Sequence, residues 1–179
     1  VSGSVSGSTN VGGVVGVSYG TVTACTVSSS VSGLSNVGGV AGDSGINSTV
    51  TACTTTGDVT GTDSNVGGVV GRNCTGILTA CYHANGTVSG PGGTTGGVAG
   101  RDSKDSMLGG GIISACFWGS NGQTQGIGED QVGTGGTTKV DGTTVTWQTA
   151  VAAMNAALSG KGWQYELKDG NSLPTLKKQ

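Results

Sequence analysis

Apolar positions in the first two thirds of the chain come in short bursts, mostly of valine, each broken within a few residues by glycine, serine or threonine. Val/Thr runs of this kind predict β-strands, and the glycine clusters between them predict turns. The bursts also repeat. VGGV occupies 11–14, 37–40 and 66–69 and returns as TGGV at 95–98, each copy followed by a further glycine (Gly16, Gly42, Gly71, Gly100). TAC occupies 23–25, 51–53 and 79–81 and returns as SAC at 114–116, while V-S/T-G stands at 5–7, 31–33, 59–61 and 88–90. Copies recur every 26 to 29 residues, except for a gap of 35 between Cys81 and Cys116, where a charged insertion (101–111) falls.

Three ordered elements in four copies predict a repeat architecture. Each copy reads as three strand-like runs, enough for one three-sided coil, and successive coils stack as parallel strands about 4.8 Å apart. The fold expected is all-β: a parallel β-helix, or β-solenoid, of about four coils of ~28 residues, right-handed as such crossovers are, with a small α+β cap at the C-terminus. A propeller blade would need about 40 residues, and a leucine-rich horseshoe would need more than the three leucines (Leu34, Leu78, Leu108) before residue 120. Stacking turns each repeat position into a ladder. Period-2 alternation places Val22, Val50, Leu78 and Ile113, and with them Ala24, Ala52, Ala80 and Ala115, on the inside, with Thr23, Thr51, Thr79 and Ser114 outside. Asn10, Asn36 and Asn65, with Thr94 in the fourth copy, predict a stacked turn ladder. The glycine pairs are expected where the coil turns sharply or needs positive φ.

The pattern changes after Cys116. Residues 139–143 (KVDGT) predict a hairpin around Asp141-Gly142. Trp147, Val151, Met154 and Leu158 form one apolar stripe over 147–158, the single predicted helix, capped by Thr146 and ended by Gly160 and Gly162. Trp163, Tyr165 and Leu167 alternate with polar residues as a half-buried strand. The expected division is therefore a solenoid over 1–119 and a capping region over 120–179, with the helix covering the last coil. The first coil begins mid-repeat, which leads us to expect upstream repeats, a preceding domain or a partner at that end. Neither end carries a signal peptide or lipidation motif and the first residue is Val1, so the chain reads as a mature or excised piece of a longer protein.

Composition narrows the function. Glycine numbers 38, but two prolines, 34% hydrophobic residues and 10% charged residues argue against a disordered segment. With eight Lys/Arg, ten Asp/Glu and a net charge of −2, no basic stripe exists to neutralise phosphates, which excludes an electrostatic nucleic-acid binder. No apolar run is long enough for a membrane-spanning helix. Of the charges, only Asp43, Asp58, Asp63 and Arg72 precede residue 101, and Asp43 and Arg72 follow consecutive VGGV blocks in matching positions, predicting a surface ion pair.

Candidate chemistry is sparse. Cys25, Cys53, Cys81 and Cys116 fall in register and predict a stack of buried thiols, with Cys74 the odd one in a turn, either reactive or paired with Cys81. No C-x-x-C occurs and His83 is the sole histidine, so neither a zinc site nor another metal or cofactor site is expected. Motifs for metalloprotease, serine-hydrolase and phosphate-loop chemistry are absent, and no catalytic residue is assigned. Asp102, Asp105, Glu129 and Asp130 are Ca²⁺ ligands by residue type, but lack the glycine-rich calcium repeat. The sequons at Asn47, Asn73 and Asn85 read as turn asparagines.

The recurrence of GGVVG or GGVAG, followed by a β-run ending in Cys and then by V-S/T-G, resembles the GLUG repeat over residues 1–119, with Val in place of the usual Leu. The tail, TTKVDGTTVTWQTAVAAMNAAL with GWQYEL and LPTL, is similar to the C-terminal ends of fimbrillin-type surface proteins. The resemblance implies a bacterial cell-surface or secreted, non-enzymatic module, structural or adhesive, with a glycan or protein ligand. Two alternatives stand beside it. One is an accessory fragment of a larger surface enzyme, peptidase or glycan-active, whose catalytic domain lies upstream. The other is an ice-binding solenoid built on the T-x-T runs at 21–23 and 49–51, a pattern broken by Ile77 and Ile112.

Overall fold

In the computed structural model, which describes residues 3–120, 122–133, 135–169 and 172–179, the valine bursts become strands that pair in parallel with the same burst one copy away. Val5 lies against Val31, Val31 against Val59 and Val59 against Val88. Val22, Val50, Leu78 and Ile113 are stacked in the same way. The result is a β-solenoid of about four turns with a small cap. Val1, at the end expected to stay open, lies outside the described residues.

Four sheets surround the coil, where the sequence pattern suggests three runs. The first combines Ser4–Ser6, Ser30–Gly38, Val59–Gly67 and Val88–Ser89 with Thr9–Gly12 and Thr95–Gly96. The second stacks Val15–Ser18, Ala41–Ser44, Val70–Asn73, Ala99–Asp102 and Ile127–Asp130. Thr21–Thr23, Thr49–Thr51, Ile77–Thr79 and Ile112–Ser114 make the third, and Thr26–Val27, Thr54–Thr55, Tyr82–His83, Cys116–Trp118 and Thr137–Lys139 the fourth.

The additional corner sits at the alanine of each TAC. Ala24, Ala52, Ala80 and Ala115 have left-handed φ values of 58, 54, 52 and 48°, a conformation that costs an L-residue about 1–2 kcal/mol. The Ala52 and Ala80 amides are held there by the Thr79 and Ser114 carbonyls of the following coil. A left-handed residue breaks the period-2 alternation, so the expectation that these alanines line the inside fails. Val50, Leu78 and Ile113 do fill the interior, and the cysteines join them, whereas Ala52 and Ala80 face outward into a second apolar cluster formed with the tail. Thr51 and Thr79 are correspondingly buried, and only Thr23 of that row is exposed.

The glycine pairs of the VGGV and TGGV blocks answer to close approach and not to positive φ, which the ladder asparagines and the corner alanines take instead. A Cβ on Gly67 would collide with the Val70 carbonyl oxygen and lie 2.6 Å from the Gly100 amide nitrogen of the next coil. A Cβ on Gly68 would lie 2.6 Å from His83 across the coil. That inner row reads Val27, Thr55, His83, Trp118 in register, and it faces Gly13, Gly39, Gly68 and Gly97. The second glycine thus makes room for the side chain opposite, which is small in the first two coils and large, His83 and Trp118, in the next two.

The tail departs from expectation in two ways. First, strand pairing continues past Cys116: Ile127–Asp130 pairs with Ala99–Asp102, and Thr137–Lys139 pairs in parallel with Cys116–Trp118. Lys139 is therefore committed to the solenoid, and the Asp141-Gly142 hairpin does not form. Asp141 instead gathers the amides of Val145, Thr143 and Thr144, which hold its carboxyl down at about 2. The antiparallel hairpin of the tail is Trp163–Glu166 with Thr175–Lys178. Second, the helix (Trp147–Ala157, capped by Thr146 as expected) does not lie over the last coil. Ala150, Met154 and Leu158 pack with Tyr165 against Ala52, Ala80, Tyr82, Ala84 and Phe117, along the flank of coils two to four. Tyr82 stands 5.0 Å from the Trp147 ring, and Tyr165 donates from its hydroxyl to the Ala80 carbonyl at 2.9 Å.

Removing residues 140–179 leaves the partial fifth turn in place but uncovers this flank. Light scattering is expected to show concentration-dependent association of the shortened chain beyond that of the full one, because an exposed patch of this kind seeks a partner. A monomeric, soluble 1–139 fragment would contradict the role given to the tail.

Candidate functional site

Four charged residues of the solenoid line up along the second sheet. Matching positions after the glycine blocks bring Asp43, Arg72 and Arg101 into one ladder, which Glu129 of the next strand extends. Arg72 donates through Nε and Nη2 to Asp43 Oδ2, at 3.1 and 2.6 Å, the ion pair expected from the repeat, and this bond raises the guanidinium pKa. Arg101 and Glu129 form a second pair at 3.4 Å. Arg101 occupies the position after the fourth glycine block, so the same alignment would have found it; Glu129 follows Gly126-Ile127-Gly128, where the block is no longer spelled out, and the alignment does not reach it.

One residue further along, Ser18, Ser44, Asn73, Asp102 and Asp130 also stack in register. Ser44, Asn73 and Asp102 are fully buried. Asn73 Nδ2 donates to Asp102 Oδ1 at 2.9 Å, whereas Asp102 Oδ2 has no partner. Burial, reinforced by the nearby Asp130 charge, pushes the Asp102 carboxyl up to about 6, against the pull of the Asn73 bond. A carboxyl raised above its unfolded value binds its proton more tightly in the folded chain. Its contribution to stability is full below about pH 4 and lost as pH rises through about 6. Asp102→Asn is therefore expected to gain about 2 kcal/mol over the parent at pH 7.5 and to lose that advantage by pH 4. Denaturant melts of both chains at the two pH values test this, and an advantage independent of pH would contradict it. His83 works in the opposite sense: burial lowers its pKa, so the stability of its neutral form is lost as pH falls below 6.5. Because His83 is common to both chains, the comparison isolates Asp102.

The four acidic residues singled out as calcium-type ligands have separate tasks. Asp102 is buried against Asn73, Asp105 caps the Met107 and Leu108 amides, Glu129 pairs with Arg101, and Asp130 caps the Val132 and Gly133 amides. Among the described residues no group of three or more His, Cys, Asp or Glu is arranged to hold a metal. His83 is fully buried, with Nε2 3.0 Å from the Gly57 carbonyl. All five cysteines are unbridged; Cys53, Cys81 and Cys116 are buried, and Cys25 and Cys74 partly exposed. Asn73 is inaccessible, while Asn47 and Asn85 are exposed turn residues with left-handed φ. The asparagine ladder forms as read: Asn65 donates to Asn36 at 2.7 Å and Asn36 to Asn10 at 2.8 Å, all three left-handed.

Two clefts are lined by residues of the tail. The larger, about 310 Å³, lies between the outer row Thr26, Thr54 and Tyr82 and the tail at Leu173–Leu176. The smaller, about 200 Å³, lies beside Asn85, Asp141 and Trp147. The first offers hydroxyls and apolar surface, and in the second the Asp141 carboxylate is taken by the backbone amides of Thr143, Thr144 and Val145. On the first sheet, Ser6, Ser32, Thr60 and Ser89 point outward in register across four coils, all exposed. No family model, curated protein or solved structure matches the chain. No helix among the described residues is long and apolar enough to cross a membrane.

Proposed function

We propose that the chain is a non-enzymatic, cell-surface or secreted β-solenoid module that serves as a structural and adhesive element, recognising an extracellular glycan or protein. The observation that carries this reading is the exposed hydroxyl row Ser6, Ser32, Thr60 and Ser89 on a regular parallel sheet. Regular strand spacing gives such a row a repeat of about 4.8 Å, and its small, uncharged side chains leave the sheet flat enough for an extended ligand to lie across it. The likeness of the repeat to GLUG-bearing surface proteins supports the same reading.

The test is retention of the labelled chain on a panel of extracellular glycans and matrix proteins, compared with the double variant Ser32→Arg/Thr60→Arg. Both positions are exposed, so the variant should fold with an unchanged melting temperature and lose binding at least about tenfold, the equivalent of one good contact. Absence of retention on every surface, or retention insensitive to the substitutions, overturns the proposal.

A further inference from the structure

We propose that the stacked thiols of Cys25 and Cys53 form a two-coordinate site for a soft monovalent d¹⁰ cation such as Cu⁺. Four cysteines, Cys25, Cys53, Cys81 and Cys116, occupy the same corner of consecutive coils: the Thr54, Tyr82 and Phe117 amides, each one residue past a cysteine, donate to the carbonyls of Cys25, Cys53 and Cys81 one coil before, and the Cys53 amide donates to the Cys81 sulfur at 3.4 Å. Cys53, Cys81 and Cys116 belong to the apolar interior, and Cys25 packs against it. A single file of sulfurs cannot surround an ion tetrahedrally, which leaves Zn²⁺ without its preferred geometry. Linear coordination needs only two sulfurs on opposite sides. At a metal–sulfur distance of about 2.3 Å they would stand about 4.6 Å apart, close to the strand spacing of about 4.8 Å. Soft thiolate ligands in a dry, apolar setting select Cu⁺ over hard cations.

Position in the fold chooses the pair. Cys25 belongs to the first coil, whose described strands are paired on one side only, and its sulfur is partly exposed, whereas Cys81 and Cys116 are wholly buried. Cys53 lies directly behind Cys25 in the second coil, buried, with its thiol donating to the Thr51 carbonyl at 3.3 Å. Binding replaces two S–H bonds by two sulfur–metal bonds. Each Cu⁺ taken up releases two protons to solvent and leaves a singly negative S–Cu–S unit, with no change in oxidation state.

The experiment is an anaerobic titration of the reduced 179-residue chain with Cu⁺ supplied from a chromophoric Cu⁺ chelate, followed by native mass spectrometry, proton release and far-UV circular dichroism. The expected result is one tightly held Cu⁺ with two protons released and an unchanged β-sheet spectrum. Cys25→Ser should weaken binding by more than about 100-fold, beyond the range of a merely supporting residue, and Cys74→Ser should leave it unchanged. Cys25 is partly exposed, so its variant is expected to fold even if a Cys53 variant does not. Binding that survives Cys25→Ser, disappears with Cys74→Ser, is matched by Zn²⁺, or requires loss of the β-sheet spectrum overturns the proposal.

Discussion

Gly67→Ala is expected to destabilise the solenoid by 3 kcal/mol or more, the top of the range for ~1–3 kcal/mol overpacking changes, although it adds a single methyl group. The methyl would meet backbone on every side: the Val70 carbonyl within the same coil, and the Gly100 nitrogen and Ala99 Cα of the next, at 2.6 and 2.8 Å. Backbone cannot rotate out of the way as a side chain does, and moving it would break the parallel register of the second sheet, where Val70 pairs with Ala99. Gly92 provides the control. It is exposed, a Cβ there meets nothing within 4 Å, and its φ is not in the left-handed range. Gly92→Ala is expected to be neutral or to stabilise by about 0.5 kcal/mol through loss of unfolded-state freedom. Denaturant midpoints of the two variants distinguish the cases, and equal effects would show that the glycine pair is not placed by close approach.

Leu78→Asp is the second substitution with a large expected effect. Leu78 has no exposed surface and sits in the middle of a ladder, between Val50 and Ile113. An unpaired carboxylate at this depth costs about 3–5 kcal/mol, a large part of the 5–15 kcal/mol that holds a typical domain together. Thr23→Asp, on the outward, exposed side of the same sheet, is expected to stay within about 0.5 kcal/mol of the parent. Thr51→Asp should fall between them. Sequence alternation makes Thr51 an outward residue that tolerates charge, but the structure leaves it only 4% exposed. Thermal melts rank the three, and equal losses at Leu78 and Thr23 would show the inside and outside of the coil to be wrongly assigned.

The repeats made most of the solenoid legible, because stacking in register turns a periodic sequence into aligned side chains. The Val22–Val50–Leu78–Ile113 ladder, the asparagine ladder and the Asp43–Arg72 pair all follow from residues recurring at matching positions. What the repeat could not convey was a change of backbone state inside it. Alanine is an uncommon left-handed residue, so nothing in TAC announced that Ala52 and Ala80 turn a corner and face outward. The same blindness hid the cap. An apolar stripe on the helix says that it packs somewhere, and its partner, the outward alanines with Tyr82 and Phe117, appears only once that corner is known. At Asp141-Gly142 the local turn signal was genuine, but the strand before it was claimed by Cys116–Trp118. The hydroxyl row and the clefts carry no motif, since a row of serines and threonines is spelled like any exposed strand.

Methyl nuclear Overhauser spectroscopy on the intact chain tests the parallel, in-register stack most directly. The structure predicts cross-peaks joining Val50 to Leu78 and Leu78 to Ile113, residues 28 and 35 apart in sequence, together with contacts from the Ala80 methyl to the Met154 and Leu158 methyls of the helix. Missing cross-peaks between the ladder methyls, with contacts instead between neighbouring strands of a single repeat as in an antiparallel meander, would contradict it.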